Sequence, residues 1–512
     1  MNPEGARRII RERLAAEVGR IEKDAPFRVG LVYPSPYSVG MSSLGYQRIY
    51  RLLQGLDGIC CERVFLPDGG DQPGAQVEAA VSYEQLRPLD EFPVLAPSVA
   101  YELEIAGLLR LLAASGIPPR WDDRTPGHPF VLAGGPLTFS NPLPLAPFAD
   151  AIVMGEAEEV LPRALGVLES APDPATARAR LAAVPHVFVP EHHGDQLPIV
   201  GRASDVLLPA VSAIRTPHTE LCNMLLIEVE RGCSRGCEYC VMRRSTNGGM
   251  RIVPPATVLR AVPPDVRKVG LVGAAVSDHP RITEIVMALA ERGAQVGLSS
   301  LRPDRLNEDF VAALRRGGYR TLTTALDGAS ERLRQRVNRR GYERHYRAAA
   351  ERARRHGFDR LKLYLMVGLP TETDDDIDEC AAFVGELSRI VPIALGISPF
   401  CAKRNTPLDG SRFAGVRNVE RRLDRLRRGL RGRADVRATS ARWAWVEHVL
   451  SQGGAAEGEA VARAVAAGGR FAHFRAAFSD LGHDPDREPA TPGGPDRKEA
   501  GQGRRLPLVG PK

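Results

Sequence analysis

Short apolar runs alternate with amphipathic helical patterns along most of this chain. In its first part, five runs of the buried-strand type are separated by stretches with apolar residues at helical spacing. These five predicted strands cover residues 28–33, 60–66, 94–97, 130–133 and 151–154, with helices such as 43–56 and 102–114 between them. Because strands that alternate with helices require right-handed crossovers, this part predicts a doubly wound parallel sheet.

A second alternating series begins near residue 221. Its six predicted strands cover residues 224–230, 268–273, 295–299, 321–327, 361–368 and 393–398. The helices between them are predicted at residues 281–292, 306–316, 331–336, 342–356 and 375–389. Six repeats are too few to close an eight-stranded barrel, so the pattern predicts a partial (β/α)6 barrel with its ligand site at the carboxyl ends of the strands.

These patterns predict an α/β protein of six segments. They are an N-terminal helix (1–25), the sheet domain (26–183), a linker with room for one hairpin (184–217), the partial barrel (218–410), a small helical C-terminal region (411–483) and a tail (484–512). The C-terminal region combines a helix at 419–430, a strand-like stretch at 435–439 and helices around 443–451 and 457–481. The tail is rich in Pro, Gly, Asp and Arg, can bury little, and predicts disorder.

Composition and charge narrow the possible locations. No apolar run approaches the roughly 20 residues of a membrane span, and the charged N-terminus lacks the apolar core of an export signal. Eight cysteines in 512 residues are too few for a disulfide scaffold. We therefore expect a cytoplasmic protein with no membrane partner, in which clustered thiols serve metal or redox chemistry.

The strongest chemical signal is a cysteine cluster directly after the first strand of the second series. Cys233, Cys237 and Cys240 have the spacing C-x3-C-x2-C. Three thiolates can ligate three irons of one [4Fe–4S] cube and leave the fourth iron open to a ligand. A zinc or structural thiol site is the alternative, but no fourth Cys or His follows at zinc spacing. The spacing therefore predicts an iron–sulfur site.

A cysteine cluster of this spacing after a first barrel strand resembles the radical S-adenosylmethionine (SAM) enzymes. The resemblance implies that SAM chelates the open iron. It also implies that an external one-electron donor, of the flavodoxin or ferredoxin type, drives cleavage of SAM to a 5′-deoxyadenosyl radical.

The same resemblance implies a set of SAM-binding residues at the ends of successive strands. Gly273 and Ala274 stand where many family members carry a Gly-Gly-Glu turn for the SAM amino group, but the acidic residue is absent, which leaves backbone carbonyls as acceptors. Asp327 is implied for the ribose, and Arg302 or Arg339 for the carboxylate. The remaining implied residues are Tyr239, Ser299, Gly368 and Pro370. Taken singly, each of the strand-end residues could instead serve as a cap or a turn.

The first sheet resembles the cobalamin-binding domain of B12-type radical SAM proteins. The segments that carry this resemblance are 33–45, 132–136 and 154–159. They imply a corrin contact at Gly134, Gly135, Gly155 and Glu156. The segment that supplies a lower axial His in that family is absent. Either cobalamin binds without a protein ligand, or the sheet is a scaffold without the cofactor.

Two further features carry alternative interpretations. Cys401 follows the sixth barrel strand, where a catalytic hydrogen-donor or ligand role is open, although a buried inert thiol is the usual role of a lone cysteine. Residues 412–442 carry 11 arginines against three acidic residues. They could bind nucleic acid, with Trp443 and Trp445 as stacking platforms. The helical spacing of several of these arginines favours a solvated helix face instead.

Three functional hypotheses follow. The first is a radical SAM enzyme, in which cobalamin would imply methyl transfer to an unactivated carbon of an unidentified substrate. The second is a B12-independent radical SAM enzyme, for methylthiotransferase-like RNA modification or a rearrangement. The third is a non-catalytic iron–sulfur or nucleic-acid-binding protein. Retention of cobalamin separates the first two, and cleavage of SAM separates both from the third.

Overall fold

The computed structural model of the chain describes residues 3–242, 249–299 and 301–487. This part of the chain divides into two compact units. Residues up to 224 and residues 449–483 form the first unit, and residues 225–448 together with 484–487 form the second. The first unit is therefore built from two separate stretches of sequence.

The first unit contains one six-stranded sheet. Its strands are β1 (Phe27–Pro36), β2 (Ile59–Leu66), β3 (Val94–Pro97), β4 (Phe130–Ala133), β5 (Ala151–Val153) and β6 (Val187–Phe188). They are ordered β2-β1-β3-β4-β5-β6, and all neighbouring pairs are parallel except β5 and β6. The first five strands thus have the order of a flavodoxin-like doubly wound sheet. The predicted α/β class with a parallel sheet is confirmed.

Two glycines allow helices of this unit to approach the backbone of neighbouring segments closely. At Gly107, in helix Glu104–Ala114, a Cβ atom would stand 2.3 Å from the carbonyl oxygen of Pro34 in β1. At Gly458, in helix Ala455–Ala466, it would stand 2.1 Å from the carbonyl oxygen of Pro144. Only glycine allows these approaches. The other helices of the unit are Pro3–Ala15, Tyr37–Gly40, Leu44–Gln54, Val160–Ser170, Pro174–Ala182, Pro190–His193 and Phe471–Ser479.

The second unit contains parallel strands in two sheets. Its strands are β7 (Leu225–Glu228), β8 (Glu230–Gly232), β9 (Met250–Ile252), β10 (Lys268–Val272), β11 (Gln295–Leu298), β12 (Thr321–Asp327), β13 (Arg360–Val367), β14 (Ile393–Pro399) and β15 (Ala434–Ala438). The sheet orders are β11-β10-β7 and β12-β13-β14-β15, and an isolated parallel bridge links Leu301, which follows β11, to Thr324 in β12. Strands β8 and β9 form a separate antiparallel pair. The strand-like stretch predicted at 435–439 is β15, which pairs with β14.

The register of these strands determines where side chains can meet. In β13 the buried residues Leu361, Leu363, Leu365 and Val367 alternate with more exposed ones, as expected for a sheet with one covered face. Val367 lies beside Pro399 at the ends of β13 and β14. Because the carboxyl ends of parallel strands meet at one edge, the residues that follow β12, β13 and β14 are neighbours at that edge.

The helices of the second unit lie between its strands and after them. They are Pro255–Arg260, Ile282–Glu291, Glu308–Arg316, Glu331–Arg336, Glu343–Arg355, Asp374–Leu387 and Val416–Gly429. A further helix, Ala441–Gln452, contains the boundary between the two units. Among the described residues, no helix is long and apolar enough to cross a membrane.

The structure differs from the predicted elements at both ends of the described part and near residue 468. The N-terminal helix is Pro3–Ala15, and residues 1 and 2 lie outside the described part. The helical pattern at 457–481 is interrupted at Gly468 and Gly469, whose φ angles are 115° and 64°. Of the tail expected to be disordered, residues 484–487 are described, and the main-chain N–H of Val416 donates to the carbonyl of Pro485 (2.8 Å). Residues 488–512 lie outside the described part.

Candidate functional site

The cysteine loop starts where β8 ends. Gly232, the last residue of β8, has a φ angle of 89°, which favours glycine and turns the chain into the loop. The loop is anchored on both sides of Cys237. The Asn338 side chain donates to the carbonyl of Gly236 (2.9 Å), and the Glu238 N–H donates to the carbonyl of Val337 (3.0 Å). The residues after helix Glu331–Arg336 therefore hold the loop in place.

The three thiols are partly exposed and influence one another. Burial raises the pKa of the Cys240 thiol to about 11, and the charges of Cys237 and Cys233 add to this effect. Burial also raises the pKa of Cys233, whose sulfur accepts the Arg235 N–H (3.4 Å). A bound cation would relieve this repulsion, because metal-bound thiolates are stable in the deprotonated form. The donor set thus fits an iron–sulfur cluster.

Within the described residues, no three Cys, His, Asp or Glu side chains are arranged to hold a single metal ion. The thiolates of a cube bind three different irons. They therefore do not need to converge on one point.

Tyr239, between the last two cysteines, is tied to the end of β12. Its hydroxyl donates to Asp327 Oδ2 (2.7 Å), and Arg339 Nε lies 2.5 Å from the same oxygen. Burial and then the charge of Asp327 raise the pKa of Tyr239 well above its usual value. Burial alone would lower the pKa of Arg339, but Asp327 together with the other negative groups around it outweighs burial, and the net shift is upward. Asp327 therefore binds Tyr239 and Arg339 at the same oxygen. The spacing of the three residues in the sequence does not show that they meet.

Asp327 has an unusual backbone conformation. Its φ angle is 64°, in the left-handed region that Asp and Asn tolerate better than most other residues. One oxygen of its carboxylate, Oδ2, is used by Tyr239 and Arg339. The prediction that Asp327 binds the SAM ribose stays a prediction, and it now concerns the other oxygen, Oδ1.

Arg302 belongs to a separate charged cluster around Asp278. Its Nε lies 3.5 Å from Asp278 Oδ1, and its N–H donates to the hydroxyl of Ser277 (3.0 Å). Arg235, from the cysteine loop, binds Asp278 through two hydrogen bonds (2.7 and 2.8 Å). Burial opposes ionisation of Asp278, but Arg235 and Arg302 outweigh it and lower its pKa. The cluster thus brings one predicted SAM ligand, Arg302, to the cysteine loop.

The turn after β10 contains a contact that the sequence did not predict. Ser299 donates to the carbonyl of Gly273 (3.1 Å), so two of the predicted residues meet here. The N–H of Ala275 donates to Oε1 of Glu230 (2.6 Å), and Ala274 lies between these two positions. Burial raises the pKa of Glu230 to about 7. The only sequence signal for Glu230 was an acidic residue in the strand before Cys233.

The turn after β13 is built around a buried glutamate. The N–H of Gly368, whose φ angle is 93°, donates to Oε1 of Glu372 (2.8 Å), and Pro370 lies within this turn. Arg422 binds the same oxygen (2.9 Å) and the main-chain carbonyl of Glu372 (2.6 Å). Burial raises the pKa of Glu372 to about 7 in spite of Arg422. Helix Val416–Gly429 therefore stabilises the turn that contains Gly368 and Pro370, two of the predicted SAM-binding residues.

The arginine-rich segment 412–442 matches neither the nucleic-acid interface nor the solvated helix face completely. Arg422 is buried, so it is not part of a solvated face. Arg421 pairs with Asp374 (2.5 Å) and Arg425 with Asp378 (2.5 Å) on the surface, as that interpretation expected. Trp445 is only 2% exposed and is not available as a stacking platform.

Cys401 follows β14 at the same strand-end edge. Its thiol donates to the carbonyl of Ala444 (3.1 Å), and its side chain is partly exposed. This bond places it against helix Ala441–Gln452. A catalytic role for Cys401 stays a prediction.

In the first unit, the glycines assigned to a corrin contact approach the protein's own backbone. A Cβ atom at Gly135 would stand 2.6 Å from the carbonyl oxygen of Val99, and one at Gly155 would stand 2.6 Å from that of Gly201. At Gly134 the nearest atom would be at an ordinary 3.6 Å. At Gly135 and Gly155, the space that the missing side chain leaves is thus filled by the main chain of Val99 and Gly201.

Glu156 has a similar internal role. The Ala203 N–H donates to Glu156 Oε2 (2.9 Å), and the main chains of Glu156 and Met154 bond with Gly201 (3.0 and 2.7 Å). The segment predicted as a linker therefore covers the end of β5. The corrin contact that the family resemblance implied at these residues stays a prediction.

Two family models match the chain. The one described as Radical SAM superfamily matches residues 227–384, which contain the three cysteines. The one described as Radical SAM proteins, N-terminal, matches residues 45–190. The chain therefore carries radical SAM domains, which supports an enzyme with an iron–sulfur cluster and SAM as cofactors.

Individual relatives are distant. The uncharacterized protein MJ0966 of Methanocaldococcus jannaschii is 28% identical over 293 residues, which are 55% of this chain and 62% of that protein. A solved structure of the cobalamin-dependent SAM radical enzyme OxsB with aqua-cobalamin matches 77% of this chain and 58% of its own, with 12% identity and a TM-score of 0.49. SuiB of Streptococcus suis with bound SAM matches 44% and 48%, with 11% identity and a TM-score of 0.31. The chain spans less than two thirds of each.

Proposed function

We propose that this protein is a radical SAM enzyme that acts without cobalamin. The observation that carries the proposal is the cysteine loop, which Asp327 and Arg339 hold through Tyr239 at the carboxyl end of β12. A [4Fe–4S] cluster on Cys233, Cys237 and Cys240 would supply one-electron reductive cleavage of SAM, and the resulting 5′-deoxyadenosyl radical would abstract hydrogen from a substrate carbon.

In this scheme the residues of this chain bind the cluster and SAM and orient them relative to each other. The three thiolates hold the cluster, and the contacts from Asn338 and Val337 fix the loop that carries them. The ribose, carboxylate and adenine of SAM are assigned to Asp327, Arg302 and the turn at Gly368. Positioning of this kind is where a protein contributes most to cofactor chemistry.

The partners follow from this chemistry. An external one-electron donor, of the flavodoxin or ferredoxin type, must reduce the cluster. A nucleic-acid substrate receives little support, because Arg421, Arg422 and Arg425 are paired with carboxylates and Trp445 is buried.

Cleavage of SAM tests this proposal directly. We expect the anaerobically reconstituted protein to release 5′-deoxyadenosine from SAM when dithionite is present, as measured by liquid chromatography. Omission of dithionite is the matched control, because cleavage requires one electron per SAM. A loaded cluster without any SAM cleavage would favour the non-catalytic iron–sulfur alternative.

The absence of cobalamin is a separate prediction. Since Gly135 and Gly155 already contact main chain, we expect no cobalamin to remain with the protein after incubation with hydroxocobalamin and gel filtration, as measured by visible absorption. Gly135→Ala should lower the melting temperature with or without cobalamin, because its new methyl group meets Val99. Stoichiometric retention of cobalamin by the wild type would contradict the scaffold interpretation.

A further inference from the structure

The Glu230 carboxylate lies in a space that exists because residue 273 is a glycine. The residue is fully buried at the start of β8, three positions before Cys233. A Cβ atom at Gly273 would stand 2.1 Å from Glu230 Oε1, so any larger residue there would displace the carboxylate. The Ala275 N–H holds the same oxygen at 2.6 Å. The carboxylate is thus fixed against the turn after β10.

The second carboxylate oxygen has no partner within the described residues. Glu230 Oε2 is buried and accepts no hydrogen bond there. Leaving a buried charged group unsatisfied is costly, which makes this oxygen the feature of the pocket that most needs a ligand.

No neighbouring cation compensates the charge of Glu230 within the described part of the chain. Arg231 makes two hydrogen bonds to Glu228 (2.6 and 2.9 Å), and Arg235 makes two to Asp278. The charges of Glu228 and Asp278 are negative too, and both reinforce the rise in the pKa of Glu230 that burial causes. The pocket therefore favours a positively charged donor group.

We propose that Glu230 accepts a hydrogen bond from the α-ammonium group of SAM. The inference rests on the proposed function and assigns one binding contact to a residue outside the turn 273–275. That turn lacks an acidic residue, and Glu230 supplies a carboxylate at the same place from the preceding strand pair. SAM carries the only ammonium group that the proposed chemistry requires.

Two ligands separate this role from a structural one. SAM carries the α-ammonium group, whereas 5′-methylthioadenosine has the same nucleoside without the amino-acid part. In Glu230→Gln, the amide oxygen can still accept the Ala275 N–H, but the charge is lost. We expect SAM to bind about 10- to 100-fold more weakly to this variant. Binding of 5′-methylthioadenosine should stay within about twofold of wild type, because this ligand has no ammonium group for Glu230 to bind and its nucleoside contacts are unchanged.

The measurement is isothermal titration calorimetry on the anaerobically reconstituted protein, with iron content and circular dichroism as folding checks. Glu104→Gln is the matched control, because Glu104 is also buried with a pKa raised to about 7, but both of its oxygens have partners in Ser35 and Ala100. It should bind both ligands like the wild type. If Glu230→Gln fails to fold, Glu230→Asp is the second variant, because it keeps the charge but shortens the side chain by one methylene. It should bind SAM more weakly than the wild type, by less than about 10- to 100-fold, and should bind 5′-methylthioadenosine like the wild type.

The possible results are distinct. Unchanged SAM affinity in Glu230→Gln, or an equal loss for both ligands, would overturn this inference and leave the proposed function intact. Failure of the wild type to bind SAM would overturn both.

Discussion

Replacing Cys233, Cys237 and Cys240 together with alanine is expected to abolish loading of the iron–sulfur cluster and, with it, release of 5′-deoxyadenosine. The reason is that the proposed function assigns these thiolates as the three ligands of one cube, and no other thiol lies in the same loop. The wild type should carry about four irons per chain and show the visible absorption of sulfur-to-iron charge transfer. The triple variant should show neither, as measured by iron analysis and absorption spectroscopy after desalting.

A matched variant controls for the removal of a thiol as such. Cys60→Ala removes a buried cysteine in β2 of the first unit and should load as much iron as the wild type. Because the three site thiols interact with one another, single replacements should weaken the cluster to different extents. A full complement of iron in the triple variant would disprove the assignment of the ligands.

The second large effect is expected at Asp327. Asp327→Ala removes the acceptor shared by Tyr239 and Arg339, and it leaves the nearly buried Arg339 without this carboxylate. Breaking a fully buried ion pair from one side costs about 3–5 kcal/mol. This pair, whose side chains are 13% and 16% exposed, should cost less. Because Tyr239 lies between Cys237 and Cys240, we expect a lower melting temperature and loss of iron on desalting. Thermal unfolding under anaerobic conditions and iron analysis measure the two effects.

Two comparison variants separate charge from conformation. Asp327→Asn tolerates the left-handed backbone and can still accept the Tyr239 hydroxyl, so it should retain more iron than Asp327→Ala. Asp378→Asn breaks a surface pair with Arg425 and should cost less than about 1 kcal/mol. If Asp327→Ala melts and holds iron like the wild type, Asp327 has no role in holding the loop.

The sequence predicted the parallel strands well because their signal is local. Runs such as 94–97 and 130–133 coincide with β3 and β4, since short apolar segments between turn residues have few other structures available. The cysteine spacing was equally informative, because the geometry of a cluster restricts the spacing of its ligands. In both cases neighbouring residues in sequence carry the information.

Contacts between distant residues could not be predicted in this way. Glu230 and Ala275 are 45 positions apart, and the sequence alone showed only that the turn at Gly273 lacked an acid. Similarly, the helical spacing of Arg421, Arg422 and Arg425 indicated a solvated face, but the partner of Arg422 lies 50 positions away in a buried turn. The segment predicted as a linker likewise has contacts that its sequence did not show, because Gly201 and Ala203 bond to residues 154–156, more than 40 positions away.

The return of residues 449–483 to the first unit has a consequence for how the protein is made. Helix Ala455–Ala466, which lies against Pro144, is translated only after residues 225–448 of the second unit, an insert of about 225 residues. At about 5–20 residues per second, ribosomal synthesis of that insert takes about 11–45 s. During this interval the nascent first unit exposes the apolar surface that the returning helix later covers. A gene truncated after residue 448 would therefore yield a first unit with an incomplete core, whereas joining residue 224 directly to residue 449 would preserve all of its described sequence.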